Sequence, residues 1–207
     1  MEASSPVSED FDDRVIHTRL EDGRAICIRA VRPDDEERLR EGVALMSDQS
    51  RYLRFFTPAP TVPDHVIERL VDVDGHRHLA WGAILSDDPD HQAIGVIHAV
   101  RPDEASRRAE FAITVLDAFH GQGLARMLSA VLLIHCKLEG VAVLDAQVLL
   151  ENRPAIRLLR SLGAEQCRSE DSVGEYALDI AGALETLQQG DQPSGLKQVF
   201  AAFADLL

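Results

Sequence analysis

Several residue types and segments are scarce in this chain of 207 residues, and each scarcity excludes a class of protein. The three cysteines, Cys27, Cys136 and Cys167, form no C-x-x-C pair and no metal-ligand spacing, which argues against a zinc site or a disulfide framework. The histidines form no i, i+4 pair on a predicted helix, so we expect no metal. No apolar run is long enough to cross a bilayer, and the acidic N-terminus is unlike a secretory signal. We therefore expect a cytoplasmic protein with no membrane partner.

Basic charge is also scarce. Lysine and arginine together number 21 against 35 acidic residues, which gives a formal net charge of −14. Because nucleic-acid binding needs a basic surface, we expect no nucleic-acid partner. The 45% of hydrophobic residues is enough for one sizeable core.

The hydrophobic pattern predicts one mixed α/β domain with a largely antiparallel first half and at least one β-α-β crossover. Predicted strands cover residues 24–31, 78–85, 92–100, 107–116, 141–150 and 174–180. Predicted helices cover residues 32–46, 63–74, 123–139 and 153–163, with a turn or short helix over 47–60. We expect a flexible segment over 1–23, the domain over 24–180 and an extension over 181–207.

The extension contains an amphipathic stretch, "LKQVFAAFADLL", at residues 196–207. Its apolar stripe consists of Leu196, Val199, Phe200, Phe203, Leu206 and Leu207. Two interpretations stay open, a helix that packs on its own domain and a contact with a partner or with a second copy of the chain.

A glycine-rich turn, "HGQGLAR", lies between the strand at 107–116 and the long apolar helix at 123–139. The P-loop pattern is absent, because neither glycine is followed by the required Lys-Ser/Thr. The dinucleotide pattern G-x-G-x-x-G is half met: Gly121 and Gly123 fit, Arg126 replaces the third glycine, and Asp145 would suit the ribose role. Against this second pattern, most of the predicted strands precede the turn.

A third pattern fits better. The turn resembles the Q/R-x-x-G-x-G/A signature of the GNAT superfamily of N-acetyltransferases, with His120 in place of the usual Gln or Arg. This resemblance implies that the turn and the helix N-terminus bind the pyrophosphate of acetyl-CoA, through backbone N–H groups and the helix dipole. The residues so implicated are His120, Gly121, Gln122, Gly123, Leu124, Ala125 and Arg126.

Three further segments extend the resemblance to roughly residues 24–180. "AEFAITV" at 109–115 resembles the family's central strand, whose backbone pairs with the pantetheine arm, here through Ile113, Thr114 and Val115. "ENRPAIRLLRSLGA" resembles the segment after the next strand, which implies that Asn152 lies near the arm, although Asn is also a good helix cap. "LMSDQSRYLRFFTP" resembles a segment of bacterial GNAT protein-lysine acetyltransferases.

The fold implied by the resemblance is a single GNAT-type domain, with a mixed, mostly antiparallel sheet flanked by helices. The implied function is acetyl-CoA-dependent transfer of an acetyl group to a primary amine, with a protein lysine as the expected acceptor. Two alternatives remain: a small-molecule amine acetyltransferase, and an inactive acyl-CoA-binding sensor or interaction module.

The resemblance also implies roles for single residues. Glu110 is the expected base, since an ammonium must lose a proton before it attacks; the alternative is an ion pair with Arg107 or Arg108. An irregularity of the strand at 113–115 would free an N–H group for the developing oxyanion. Leu159 stands where many members have a tyrosine acid, and Tyr176 or His120 are the candidate substitutes.

Overall fold

A computed structural model describes residues 13–57 and 59–206. Eight strands form one sheet in the order β1-β2-β3-β4-β5-β6-β8-β7. The strands are β1 Val15–Arg19, β2 Ala25–Ala30, β3 His78–Leu85, β4 Ala93–Val100, β5 Arg108–Val115, β6 Val143–Leu149, β7 Glu165–Glu170 and β8 Val173–Asp179. All neighbours pair antiparallel except β5 and β6, which are parallel and are joined by a helical crossover.

Seven α-helices accompany the sheet in the described part of the chain. They are α1 Glu36–Ala44, α2 Asp48–Phe55, α3 Asp64–Val71, α4 Leu124–Leu138, α5 Arg153–Ser161, α6 Ile180–Gln189 and α7 Ser194–Ala202. The mixed, mostly antiparallel sheet flanked by helices confirms the predicted fold class.

The two faces of the sheet are covered by different helices. The long helix α4 packs against one face, where a Cβ added to Gly95 would lie 3.2 Å from both Leu124 and Leu128. On the opposite face, α1 and α3 form a smaller core with the strands, in which Leu39 and Ile67 pack near Ala80 of β3. The candidate site lies on this second face, as described below.

Regular secondary structure begins earlier in the chain than expected. The prediction of a flexible segment over 1–23 is wrong for β1, which pairs with β2 from Val15↔Arg29 to Arg19↔Ala25. Only the alternate residues Ile16 and Thr18 are buried in this strand, because successive side chains point to opposite faces of the sheet and one face here is exposed. Residues 1–12 lie outside the described residues.

The C-terminal extension belongs to the main core. Leu196, Val199 and Phe203 are at most 1% exposed, and Leu187 of the preceding helix is fully buried. The interpretation of a helix packed on its own domain is therefore confirmed for these residues. The oligomer contact expected through the same stripe stays a prediction: Leu196, Val199 and Phe203 are buried and cannot make it, Phe200 and Leu206 are partly buried, and Leu207 lies outside the described residues.

Among the residues that the structure describes, we find no helix with both the length and the apolar character of a membrane span.

Candidate active site

The glycine turn opens α4 in a conformation that favours glycine. Gly121 and Gly123 have φ of 71° and 79°, in the left-handed region that other residues rarely adopt. Gly123 is the N-cap of α4 and no side chain caps it. The first N–H groups of a helix have no intrahelical acceptor, and we find none elsewhere in the described chain for residues 121–126. The turn thus offers several free donors at the positive end of a helix dipole.

The hairpin between β1 and β2 holds this turn from one side. The backbone N–H groups of Glu21 and Asp22 donate to the backbone and side-chain oxygens of Gln122, at 3.3 and 3.0 Å. The guanidinium of Arg24 lies 4.2 Å from the centroid of the Phe119 ring. Both oxygens of Gln122 therefore hold the turn, while its backbone N–H has no acceptor among the described residues.

Three other residues implicated by the signature also have structural roles. His120 Nε2 lies 2.9 Å from the Val115 carbonyl oxygen, so this ring bridges the end of β5 to the turn. Leu124 is 1% exposed and belongs to the core, while Arg126 extends toward Gly190. For Leu124 the backbone N–H is the only group left to contact a phosphate.

The strands β5 and β6 separate just before this turn. They pair only at Arg108↔Val143, Ala109↔Leu144 and Glu110↔Asp145, and beyond that point the last five residues of β5 have no partner on the β6 side. This opening leaves backbone groups of the central strand available for a ligand.

Alternation along β5 decides which backbone groups face the opening. The carbonyl of Arg107 accepts from Ala142 on the β6 side, whereas the N–H of Leu116 donates to Ile94 of β4. Odd-numbered residues, including Ile113 and Val115, therefore direct their backbone groups into the opening. The Thr114 carbonyl lies 3.1 Å from the position of a Cβ added to Gly95, so the prediction of a backbone contact by Thr114 is corrected: its backbone faces β4.

The expected irregularity of β5 is absent. Pairing with β4 is continuous from Gly95↔Val115 to Val100↔Glu110. The free N–H groups arise from the separation of β5 and β6, and not from a bulge.

The segment after β6 forms the helix α5, whose start is capped by a side chain. The Asn152 side chain accepts a hydrogen bond from Ala155 N at 3.1 Å and caps α5. Leu159 is 2% exposed and lies in the core. Tyr176 is equally buried, and it lines a cavity that Glu110 also lines.

Glu110 lies between two open cavities on the face of α1 to α3. One cavity, of about 470 Å³, extends toward α2, α3 and β3, and the other, of about 600 Å³, extends over β6 and β8. The expected alternative, an ion pair of Glu110 with Arg107 or Arg108, is not found among the described residues, since Arg108 Nε donates to Asp145 at 2.9 Å. The exposed carboxylate of Glu110 is free to meet a ligand.

The smaller cavity contains groups to which the sequence pattern gave no role. Arg54 of α2, His78 of β3 and His98 of β4 line it together with Glu110. Burial lowers the pKa of Arg54, and the charge of Glu110 opposes that change. A pattern search could not find these residues, because only the sheet register and the position of α2 bring them together.

This arrangement can be compared with known proteins. The acetyltransferase (GNAT) domain family matches residues 25–165 of the chain. The chain belongs to the GNAT acetyltransferase family. It is therefore an acyltransferase, as its relatives' names also indicate.

Two curated relatives of this GNAT acetyltransferase are themselves named acetyltransferases. An acetyltransferase of Pseudomonas aeruginosa is 27% identical over 186 residues, which cover 89% of this chain and 87% of the relative. Acetyltransferase Pat of Mycolicibacterium smegmatis is 28% identical over 166 residues, which cover 80% of this chain and 49% of the relative. The matched part of the chain thus spans about half the length of the second relative.

Solved structures share the fold of the GNAT acetyltransferase described here. The GNAT domain of S. lividans PAT is 25% identical, with a TM-score of 0.74 over 86% of this chain and 99% of that one. A spermidine N-acetyltransferase from Vibrio cholerae, solved with CoA and spermine, has a TM-score of 0.60 at 17% identity over 77% of this chain and 98% of that one. At that identity the second likeness supports the fold alone.

Proposed function

We propose that the chain is an acetyl-CoA-dependent N-acetyltransferase whose acceptor is the side chain of a protein lysine. The observation that carries this proposal is the position of Glu110, at the mouth of the β5–β6 opening and between two cavities that are open at the surface. A long side chain from a second protein can reach such a carboxylate without the enclosed pocket that a small ligand needs.

The residues present fit the co-substrate. The uncapped N-terminus of α4 offers converging N–H donors to a pyrophosphate, from residues 121–126. The backbone groups of Ile113 and the backbone N–H of Val115 are free to pair with the amides of the pantetheine arm, whereas the Val115 carbonyl is bonded to His120. Acetyl-CoA would supply the acetyl group as an activated thioester.

Glu110 accepts the proton that the acceptor amine must lose. An alkylammonium has an ordinary pKa near 10.4, so at neutral pH the proton must pass to a base before the nitrogen attacks. Glu110 and Asp145 are the last paired residues before the strands separate, which puts the carboxylate next to the opening that would receive the thioester. An N–H group of Ile113 or Val115 can donate to the carbonyl oxygen as it gains charge.

Two further features support a lysine acceptor. Val100, which lines both cavities beside Glu110, is 41% exposed and offers an apolar surface to the methylene groups of a lysine. The segment at 45–58 resembles that of bacterial GNAT protein-lysine acetyltransferases, and α2 within it contributes Arg54 and Phe55 to the same cavity.

The leaving thiolate does not depend on a tyrosine in α5. Leu159 occupies the position of that acid and is buried in the core, and His120 is already bonded to Val115. A CoA thiolate can leave without help at neutral pH.

The test measures thiol release from acetyl-CoA with a lysine-containing protein panel and with small amines, followed by mass spectrometry of the proteins. In Glu110→Gln we expect kcat to fall about 100-fold or more, because a general base is lost, while the affinity for acetyl-CoA stays unchanged. Glu165→Gln is the matched control, since this exposed residue lies on the edge strand β7.

The outcomes separate the alternatives. Acetylated lysines that vanish in Glu110→Gln would support the proposal. Turnover of small amines with no modified protein would favour a small-molecule acetyltransferase. Binding of acetyl-CoA without turnover of any acceptor would favour the sensor, and absence of binding would contradict the assignment of the glycine turn.

A further inference from the structure

Four arginines line the smaller of the two open cavities beside Glu110, which we call the arginine cavity. They are Arg54 of α2, Arg69 of α3, Arg77 and Arg101. None of the four forms an ion pair with a carboxylate of the described residues. The chain has 35 acidic residues against 21 basic ones, so carboxylate partners are plentiful elsewhere. The unpaired arginines are therefore a property of this cavity and not of the chain as a whole.

Two of these arginines are already used by the fold. Arg101 donates to the carbonyl oxygens of Ser106 and Glu139, at 3.0 and 3.2 Å, and Arg77 donates to the carbonyl oxygen of Pro102 at 3.4 Å. Carbonyl oxygens satisfy the N–H groups but leave the positive charges without a counter-ion.

The other two arginines have donors to spare. Arg69 is exposed in the last turn of α3 and has no hydrogen-bond acceptor among the described residues. Arg54 is partly buried, and its guanidinium lies 5.0 Å from the centroid of the Phe55 ring. It also has no acceptor in the described chain, and its nitrogens are not among the fully buried, unpartnered polar atoms. The guanidinium of Arg54 therefore reaches open space.

The guanidinium of Arg54 lies within electrostatic reach of Glu110. The charge of Glu110 acts on the pKa of Arg54, although the two groups form no ion pair. Arg54 also lines a third cavity, of about 30 Å³, which has room only for a water molecule or two and which Glu110 does not line. Of the cavities that Arg54 lines, the arginine cavity is thus the one with space for an acceptor beside Glu110.

The arginine cavity has the opposite charge to the rest of the chain. Asp72, Asp74 and Glu110 also line it, and Asp74 is occupied by three backbone N–H groups of the turn that follows. Burial lowers the pKa of His78 and His98, which we count as neutral. Four arginines and three carboxylates give the cavity a formal charge of +1, in a chain of −14. This balance disfavours an acceptor with several amines and favours one that carries a carboxylate.

We propose that Arg54 and Arg69 select acceptor segments in which an aspartate or glutamate lies within about three residues of the target lysine. This inference rests on the proposed function, because it specifies which protein segments the site takes. A guanidinium binds a carboxylate through two parallel hydrogen bonds, a geometry that lysine lacks. A cavity of about 470 Å³ is on the order of 10 Å across, the length of about three extended residues. Both arginines act on specificity and take no part in a covalent step.

The first experiment compares blocked seven-residue peptides that contain one central lysine. Each peptide has Asp, Asn or Arg at one flanking position, from three residues before the lysine to three after it, and acetyl-CoA is the acetyl donor. We expect kcat/KM for the best Asp peptide to exceed that of its Asn counterpart about tenfold, mainly through KM, because charge-assisted hydrogen bonds are gained. The preference should weaken at high salt, since the cavity is open to solvent.

The second experiment changes the arginines. In Arg54→Gln and in Arg69→Gln we expect the preference for Asp over Asn to fall to about threefold or less. In Arg69→Glu the ratio of kcat/KM for the Arg peptide to that for the Asp peptide should rise about tenfold or more over the wild-type ratio. The affinity for acetyl-CoA should stay unchanged in all three variants. Arg157→Glu is the matched control, because Arg157 is exposed on α5 and outside the cavity.

Binding without turnover separates this inference from the proposed function. Calorimetric titration of CoA-saturated protein with the same peptides should show the same order of Kd, because CoA carries no acetyl group to transfer. If no peptide is acetylated but the Asp peptides still bind more tightly, and the Arg69 variants lose that difference, the proposed function fails and the selection by the arginines stands.

Three results would overturn the inference. One is equal kcat/KM and equal Kd for Asp and Asn peptides at every position. Another is a preference for Asp that persists in the Arg54 and Arg69 variants. The third is faster turnover with succinyl-CoA than with acetyl-CoA and no effect of peptide charge, which would assign the arginines to a carboxylate on the acyl group.

Discussion

Asp35 is a buried carboxylate on which the start of α1 depends. Its oxygens lie 2.6 Å from Arg29 Nη2 and 2.9 Å from the backbone N–H of Arg32, and Arg38 also donates to it. Burial alone would raise the pKa of Asp35, but these hydrogen bonds and charges outweigh that effect and hold the pKa below its usual value of 3.8.

We expect Asp35→Asn to lower the free energy of unfolding by about 3 kcal/mol at neutral pH, because it removes the buried charge that pairs with the partly buried Arg29 and Arg38. A carboxyl whose pKa is lowered by folding contributes stability above its unfolded pKa and loses that contribution as the pH falls. The difference between the two proteins should therefore shrink below about pH 4, as measured by urea unfolding at a series of pH values.

The neighbouring Asp34→Asn is the matched control, since Asp34 is exposed. It should stay within about 0.5 kcal/mol of the wild type. A difference for Asp35→Asn that persists unchanged at pH 3 would show that packing, and not charge, makes Asp35 important.

At the scale of single residues, the sequence identified chemistry that is local along the chain. Glu110 could be singled out because it lies within a strand whose sequence, "AEFAITV", resembles that of a known family. The pair His78 and His98 could not, because twenty residues separate them and only the antiparallel register of β3 and β4 brings them into contact. Thr114 was misassigned for a related reason: which edge of β5 its backbone faces depends on the partner strands.

At the scale of elements, the proposed binding of acetyl-CoA by the turn between β5 and α4 can be tested by substitution. Gly123→Ala places a Cβ at φ +79°, which strains the backbone of the turn, and about 3.0 Å from a Glu21 carboxylate oxygen, which must move aside. We expect the Kd for acetyl-CoA to rise about tenfold or more, because the N–H donors at the mouth of α4 lose their common direction. Calorimetric titration measures this change.

Gly140→Ala at the other end of α4 separates binding from stability. Gly140 has φ +74° with open space around it, so alanine there brings a similar backbone penalty of about 1 kcal/mol. Its thermal unfolding should shift while its Kd for acetyl-CoA stays at the wild-type value. Equal weakening of binding in both variants would mean that α4 as a whole, and not the turn, determines affinity.

Elements with a clear hydrophobic period could be predicted from the sequence, and elements without one could not. The strands β3 to β6 and the helix α4 agree with the predicted ranges to within a few residues. Strand β7 was missed because all six of its residues, "EQCRSE", are exposed and show no alternation. It is a strand only because β8 provides its hydrogen-bond partners.

At the scale of the whole molecule, the two ends of the described chain meet. Helix α7 contacts β1, where Thr18 Oγ1 bonds to Gln198 Oε1 at 2.6 Å and Arg14 Nη2 to Asp205 at 2.6 Å. The sequence identified the amphipathic pattern of α7 but not its partner, because an apolar stripe fits its own core and a second subunit equally well. Burial of the stripe under the sheet favours the first.

The last prediction tests that assignment through Phe203. Its side chain is fully buried, and its ring meets Trp81 edge-on with centroids 6.2 Å apart, beneath the guanidinium of Arg14. We expect Phe203→Ala to lower the free energy of unfolding by about 3–5 kcal/mol in urea titrations, because it leaves a cavity in the main core. Lys197→Ala on the exposed side of the same helix should change this free energy by less than about 0.5 kcal/mol.

If the stripe instead joined two copies of the chain, Phe203→Ala would reduce the mass seen by light scattering and leave the stability of the single chain nearly unchanged. The same loss of stability at every protein concentration therefore assigns α7 to the core of the acetyltransferase domain.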